Sequence, residues 1–107
     1  RAQLAFVTEV DLQAMADVLL AQEEFFLQQR TPMRVAHRRG DLVRERKVKM
    51  TGAKILDSLL WVQLEAEHGT YIKEFISGDD GRTIPSLTSL LGETCSCAVL
   101  DVLRVDI

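Results

Sequence analysis

Apolar side chains recur along the chain with two different periods, and these periods predict its strands and helices. Residues 2–8 are mostly apolar and predict a strand. Beyond them, apolar side chains recur at helical spacing up to about Ala21, which predicts a helix; they are Leu12, Met15, Ala16 and Leu19. Thr8, with Asp11 after it, resembles the capping pattern that starts a helix.

The middle of the chain favours strands. Phe25 to Leu27 form a short strand candidate that ends before Pro32, because the residue preceding a proline is pushed out of the helical region. Residues 41–51 carry charges on both faces, so we expect a strand at a sheet edge or along a groove. Residues 59–68 alternate, with Gln63, Glu65 and Glu67 facing water and these apolar residues facing inward: Leu60, Val62, Leu64 and Ala66.

Two further features complete a mixed order of strands and helices. Gly52 and the polar residues around Asp57 predict a loose hairpin between residues 41–51 and 59–68. Residues 94–107 predict a last strand with one apolar face, interrupted by Asp101; that face consists of Cys95, Cys97, Val99, Leu103 and Val105.

Cys95 and Cys97 are the only two cysteines of the chain. They lie two apart on one face of the last predicted strand, which makes a mutual disulfide geometrically awkward. No second cysteine or histidine pair follows at zinc-ligand spacing, so we expect no metal site. We interpret both as reduced thiols of the core.

The length of 107 residues is enough for one domain with a modest core. The chain begins with Arg1 and enters a strand at once, so we expect a piece of a longer protein. It has no apolar run of about 18 residues and no leader-like start. We therefore expect no membrane contact and an intracellular protein, cytoplasmic or nuclear.

Positive charge is concentrated between Arg30 and Lys54. This segment holds nine basic and two acidic side chains, nine minus two or +7, inside a chain of net charge −3. The remainder therefore carries −10. Such a block is the electrostatic footprint expected for binding a polyanion such as nucleic acid. The alternative is a solvated, arginine-rich strand edge that resists aggregation.

Residues 69–85 form the most informative block. Gly69 ends the alternating strand, Thr70 is a candidate helix cap, and a short helix with apolar neighbours one turn apart follows. Lys73 points away from that apolar side. It needs either solvent or a carboxylate, because an unpaired buried ammonium is costly. Residues 78–81, Gly-Asp-Asp-Gly, are typical of a turn.

Three strings of this sequence, residues 29–39, 69–75 and 78–85, resemble the C-terminal catalytic portion of the "Pus ten" tRNA pseudouridine synthases of archaea and eukaryotes. They occur in order, and the resemblance runs from about Gln29 to the end. Gly-Thr-Tyr-Ile-Lys at residues 69–73 is also similar to the Gly-Thr-Tyr-Ile-Arg motif of the TruB branch. The resemblance implies an α+β fold, with a mixed, mainly antiparallel sheet and helices packed on one side, as the C-terminal half of a synthase core.

The resemblance also implies an activity, the cofactor-free isomerisation of uridine to pseudouridine in the T arm of tRNA. Lys73 matches the basic residue that pairs with the catalytic aspartate, and Tyr71 and Leu90 are the other expected catalytic-site residues. The aspartate motif itself is not found. We expect it upstream of Arg1, in the remainder of the catalytic domain, so the chain alone should be inactive.

The RNA-binding residues implied by the resemblance and the basic segment are Arg30, Arg34, His37, Arg38, Arg39, Arg44, Arg46 and Arg82. A planar guanidinium suits bidentate phosphate binding. His37 either stacks on a base or bonds a backbone carbonyl. Two other functions remain open at this point: a non-catalytic RNA-binding module that uses residues 30–54, and a structural domain whose charge asymmetry serves a protein partner.

Overall fold

The computed structural model describes residues 1–22, 24–34 and 42–102. The strands are β1 (Ala2–Phe6), β2 (Glu24–Arg30), β3 (Val43–Leu56), β4 (Leu59–Ala66), β5 (Thr83–Ile84) and β6 (Cys95–Leu100). The helices are α1 (Leu12–Leu20), α2 (Ile72–Ser77) and α3 (Leu87–Leu91), and a 3-10 turn covers Asp79–Gly81. Within these described ranges, no helix has the length and apolar character needed to cross a membrane.

The strands form one six-stranded sheet in the order β5-β2-β3-β4-β1-β6. Each strand pairing in the described ranges is antiparallel. Buried side chains of α1, α2 and α3 form a single core with the inward side chains of the strands. The predicted α+β fold, with a mainly antiparallel sheet and helices on one side, is confirmed.

The sequence places residues 41–51 at a sheet edge or along a groove, and the edge is wrong, because β3 lies between β2 and β4. Its register turns Val48 and Met50 to the buried inner face. Lys47 and Lys49 fall on the outer face, and Lys47 Nζ lies 3.4 Å from Glu24 Oε1. A central strand tolerates these charges because they meet carboxylates across the sheet.

The hairpin between β3 and β4 is tight, so the expectation of a loose connection is also wrong. Asp57 and Ser58 alone connect the strands, with φ of 51° and 62°. Positive φ at both central residues is the turn geometry that matches the twist of a hairpin. The register between β3 and β4 shifts between Met50 and Gly52, which is a β-bulge. The bulge accommodates extra length in β3, and this extra length hides the pairing of the two strands from the sequence pattern.

Two predicted caps are replaced by neighbours. The α1 cap is Asp11, whose side chain accepts a hydrogen bond from Ala14 N, rather than Thr8. The α2 cap position is Tyr71, whereas Thr70 Oγ1 donates back to Glu67 O at 2.7 Å. In both places the cap lies closer to the helix than the sequence pattern suggested.

The last strand, β6, ends at Leu100, earlier than predicted. Cys95 is buried, Cys97 is half-buried, and both are free thiols. Asp101 N donates to Arg1 O, which continues the pairing of β1 with β6. The predicted inward residues Leu103 and Val105 lie outside the described residues.

Candidate active site and RNA-contact surface

The turn before α2 is built around Gly69. Its φ of +87° is a left-handed conformation that glycine adopts without strain. A Cβ at this position would lie 3.2 Å from Arg46 Nη2, so the guanidinium of Arg46 rests against a backbone without a side chain. The glycine therefore serves both the turn and the approach of an arginine from β3.

Gln29 holds the next part of this turn with three hydrogen bonds. Tyr71 N donates to Gln29 Oε1 at 2.8 Å, and Gln29 Nε2 donates to Tyr71 O at 2.9 Å and to Thr83 Oγ1 at 3.0 Å. Gln29 is only 3% exposed. A buried amide with its polar atoms satisfied in this way fixes where α2 begins, and with it Tyr71 and Lys73.

Sequence reasoning missed this role of Gln29. The signal was its place in the alternation of β2, where Phe25 and Leu27 are the other inward residues. A glutamine at an inward strand position needs partners for both amide groups. The sequence alone does not show which backbone supplies them.

Lys73 lies on α2 and is exposed. It makes no hydrogen bond or ion pair with the part of the chain that the structure describes. Burial raises the pKa of the nearby Cys97 thiol, and the Lys73 ammonium opposes this rise. Lys73 is thus an exposed cation near Cys97 of β6, without a carboxylate partner among the described residues.

Glu74, the next residue, is in the opposite situation, and the sequence did not single it out. It is only 7% exposed, and its Oε1 accepts a hydrogen bond from Arg34 Nε at 2.7 Å. The hydrogen bond and charge of Glu74 raise the pKa of Arg34. Arg34 also lies over the Tyr71 ring, with its guanidinium carbon 5.8 Å from the ring centroid. Glu74 Oε2 is buried and accepts no hydrogen bond from the described residues.

The turn after α2 binds the segment that follows β2. Gly78, with φ of +88°, ends α2 by donating to Glu74 O at 2.7 Å. Asp79 Oδ2 accepts a hydrogen bond from Met33 N at 3.0 Å. Arg82 donates from Nε and Nη2 to Thr31 O, at 3.0 and 2.7 Å. Asp79 and Arg82 therefore hold the chain around Pro32 against the turn that follows α2.

Arg44 and Arg46 line a cavity of about 300 Å³ at the start of β3. The cavity also contains Gln29, Thr31, Leu42, Gly69 and Tyr71. Tyr71, a predicted catalytic-site residue, thus meets two predicted RNA-binding arginines at one cavity. Arg30 stands opposite Val43 in the register, on the other face of the sheet from this cavity.

Other predicted site residues lie elsewhere. Leu90 lies on α3 and packs, partly buried, against the core cluster. His37, Arg38 and Arg39 lie outside the described residues. The structure therefore brings together Arg34, Arg44, Arg46 and Tyr71 around the start of α2, and it places Lys73 on the same helix with its side chain in solvent.

Comparisons with known proteins give one consistent match. The family model described as "Pus10, C-terminal" matches residues 1–106. The chain is 44% identical to the tRNA pseudouridine synthase Pus10 of Halorubrum lacusprofundi over 107 residues, which are 99% of this chain and 25% of that protein. The same-named proteins of Methanocaldococcus jannaschii (44%, covering 92% and 21%) and Methanothermobacter marburgensis (51%, covering 83% and 22%) are also similar. The chain spans about a quarter of the length of these curated relatives.

Proposed function

The chain belongs to the Pus10 C-terminal family, and from this membership we propose that it forms part of the catalytic domain of a tRNA pseudouridine synthase. In the full-length protein it supplies Lys73, Tyr71 and the RNA-binding arginines, and the remainder of the catalytic domain supplies the aspartate. The reaction converts uridine into pseudouridine in the T arm of tRNA. The relatives are named tRNA pseudouridine synthases, which supports the activity on tRNA, and they are about four times longer than this chain.

The observation that carries the proposal is the contrast between Lys73 and the rest of α2. Gln29 and Arg34 fix the helix on one side, whereas Lys73 has no partner in the described part of the chain. An ammonium about 4 Å from a carboxylate, at an effective dielectric near 20, contributes about 4 kcal/mol before desolvation. This energy keeps the aspartate ionised and oriented toward the ribose.

The chemistry is an isomerisation without a cofactor. The target uridine leaves its stack, which costs a few kcal/mol, and enters the catalytic pocket. The ionised aspartate attacks or deprotonates the ribose, the bond from the sugar to N1 of uracil breaks, and the base turns. A bond from the sugar to C5 then forms, and C5 loses its hydrogen as a proton. No atom is gained or lost overall, because a proton returns to N1.

RNA contacts are proposed for the arginines and the histidine that the sequence indicated. Arg34, Arg44 and Arg46 support this part best, because they surround Tyr71 near the start of α2. They are part of the basic segment whose charge favours a polyanion. Leu90 stays a proposal as an apolar contact to the base.

The test uses the full-length protein and a tRNA transcript labelled with tritium at C5 of uridine. Release of tritium reports the new bond at C5, because the hydrogen is lost only there. We expect release from the intact transcript and none when the T-arm uridines are replaced by cytidine. RNA binding without release would favour a non-catalytic RNA-binding module instead. The 107-residue chain alone should release none, and turnover by it would mean that it contains its own nucleophile.

A further inference from the structure

The two arginines at the start of β3 point to the same side of the sheet. In the register with β2, Arg44 stands opposite Gln29 and Arg46 stands opposite Leu27. Gln29 and Leu27 are both buried on the inner face. Arg44 and Arg46 therefore also face inward, where β3 passes beyond the core and the cavity of about 300 Å³ opens.

The other polar groups of this cavity are already used by the protein. The Gln29 amide is bonded to Tyr71 and Thr83. Thr31 Oγ1 accepts from Leu42 N at 3.1 Å and donates to Leu42 O at 3.4 Å. In the lining that the structure describes, the side chains that still offer hydrogen-bond donors to a ligand are therefore the two guanidinium groups and the Tyr71 hydroxyl.

The arginines retain most of their donors. The Arg44 side chain has no hydrogen bond or ion pair within the described ranges. Arg46 donates from Nη1 to Glu45 O at 3.0 Å, and its buried Nε has no acceptor among the residues that the structure describes. The remaining guanidinium donors of Arg44 and Arg46 carry positive charge at the cavity, and a bound anion would pair with that charge.

Gly69 leaves the space that this arrangement needs. Its missing side chain allows Arg46 to rest against the turn, because a Cβ would come within 3.2 Å of Nη2. The lining residues that the structure describes include no carboxylate. Within the described lining, the cavity thus offers two cations and no competing anion.

We propose that this cavity binds one phosphodiester group of the substrate RNA, held by the guanidinium groups of Arg44 and Arg46. The planar fork of arginine donates two parallel hydrogen bonds to phosphate oxygens. The site lies beside Tyr71 and thereby positions the RNA strand next to the helix that carries Lys73. This assignment rests on the proposed function, since it takes RNA as the substrate.

The first test measures how full-length protein binds the tRNA at several salt concentrations. Replacing Arg44→Gln together with Arg46→Gln should weaken binding about tenfold and reduce the slope of log affinity against log salt by about one phosphate contact. The matched control replaces Lys47→Gln and Lys49→Gln, which removes the same charge from the outer face of β3. The control should change affinity less than about threefold. Equal losses in both variants would overturn the site.

The second test locates the phosphate. Single backbone linkages of the RNA are made neutral as methylphosphonates, one at a time. We expect one linkage near the target uridine to weaken binding to the wild-type protein and to have no effect on the Arg44→Gln, Arg46→Gln variant. A linkage effect that persists in the variant would refute the assignment. Inorganic phosphate should compete only at high concentration, and tight competition would mean a free-phosphate site instead.

A third variant, Gly69→Ala, keeps both arginines but crowds Arg46, and it should weaken the same linkage effect. Arg44→Gln alone replaces an exposed side chain and should leave folding intact, so it keeps the test decisive if the other variants unfold. Binding is measured apart from tritium release. Absence of any linkage effect in the wild-type protein, with normal pseudouridine formation, would reject only this site. Linkage-dependent binding without pseudouridine formation would reject only the proposed function.

Discussion

The two sides of helix α2 differ in whether their polar groups have bonding partners in the described part of this chain. On one side, the Gln29 amide is hydrogen-bonded to the backbone of Tyr71, and Arg34 forms an ion pair with the buried Glu74. On the other side, the neighbouring Lys73 is exposed and has no partner among the described residues. One side anchors the helix, and the other presents a cation.

This difference shows how a positioned charge arises. A lysine on a single-turn helix would be mobile if the helix itself were loosely held, because so short a helix has little stability of its own. The hydrogen bonds of the anchored side fix the helix and therefore the origin of the lysine side chain. We infer that the contacts of the anchored side serve to position Lys73 on the open side.

The largest effect is expected on the open side. Lys73→Met in the full-length protein should lower the single-turnover rate of pseudouridine formation at least about 100-fold, because an interaction of several kcal/mol with the aspartate is lost. The tRNA affinity should stay within a few-fold of the wild type. Lys54→Met, on the outer face of the sheet, is the control and should leave the rate unchanged. An unaltered rate in Lys73→Met would remove Lys73 from the site.

The second effect is expected on the anchored side. Gln29→Ala should lower the free energy of unfolding by about 3 kcal/mol, because it leaves the Tyr71 N–H and C=O and the Thr83 hydroxyl without their partner. Gln28→Ala removes a neighbouring exposed glutamine and should cost less than about 0.5 kcal/mol. Urea denaturation measures both. Equal stability of the two variants would contradict the role of Gln29 as a clamp, that is, as the side chain whose hydrogen bonds hold Tyr71 and Thr83.

A smaller effect is expected from the ion pair between Arg34 and Glu74. Arg34→Gln should destabilise the protein by about 1 kcal/mol, since the arginine side chain is 59% exposed and its attraction is screened by solvent. Part of this loss comes from leaving Glu74 buried without its cation. A double-mutant cycle with Glu74→Gln isolates the coupling. A coupling of zero would mean that the pair does not anchor α2.

The smallest effect concerns the thiols beneath the open side. Burial raises the pKa of Cys95 and also that of Cys97, so both remain protonated at a pH where an exposed cysteine begins to ionise. Alkylation at pH 8 should therefore be slower than in the unfolded chain. For the same reason, the stability that these thiols contribute should fall as the pH rises above the usual cysteine range. Alkylation as fast as in the denatured protein would contradict the burial of both thiols.

Sequence patterns predicted the individual strands and helices of this fold better than they predicted which strands lie next to each other in the sheet. Alternation in residues 59–68 and the helical spacing from Leu12 to Leu19 gave β4 and α1 correctly, because each pattern is local. The position of β3 inside the sheet was missed, since its lysines are compensated by carboxylates from other strands. Pairing between strands is set by contacts that no single stretch of sequence reveals.

The same limit applies to the candidate site. Tyr71, Arg44 and Arg46 were singled out from motif and charge, and the structure brings them to one cavity. The clamp by Gln29 and the ion pair of Glu74 were missed, because their partners are 42 and 40 residues away in the sequence. Charge counting also joined two groups of cations that the register of β3 separates onto opposite faces of the sheet.

The pairing of Lys73 with a carboxylate from the rest of the catalytic domain is the central claim, and the pH dependence of the reaction tests it most directly. Single-turnover rates of pseudouridine formation are measured from acid to neutral pH for the wild type and for Lys73→Met. Loss of the ammonium should raise the pKa of the catalytic carboxylate, so the acid limb of the variant should move to higher pH by about one unit or more. An acid limb at the same pH in both proteins would contradict the claim.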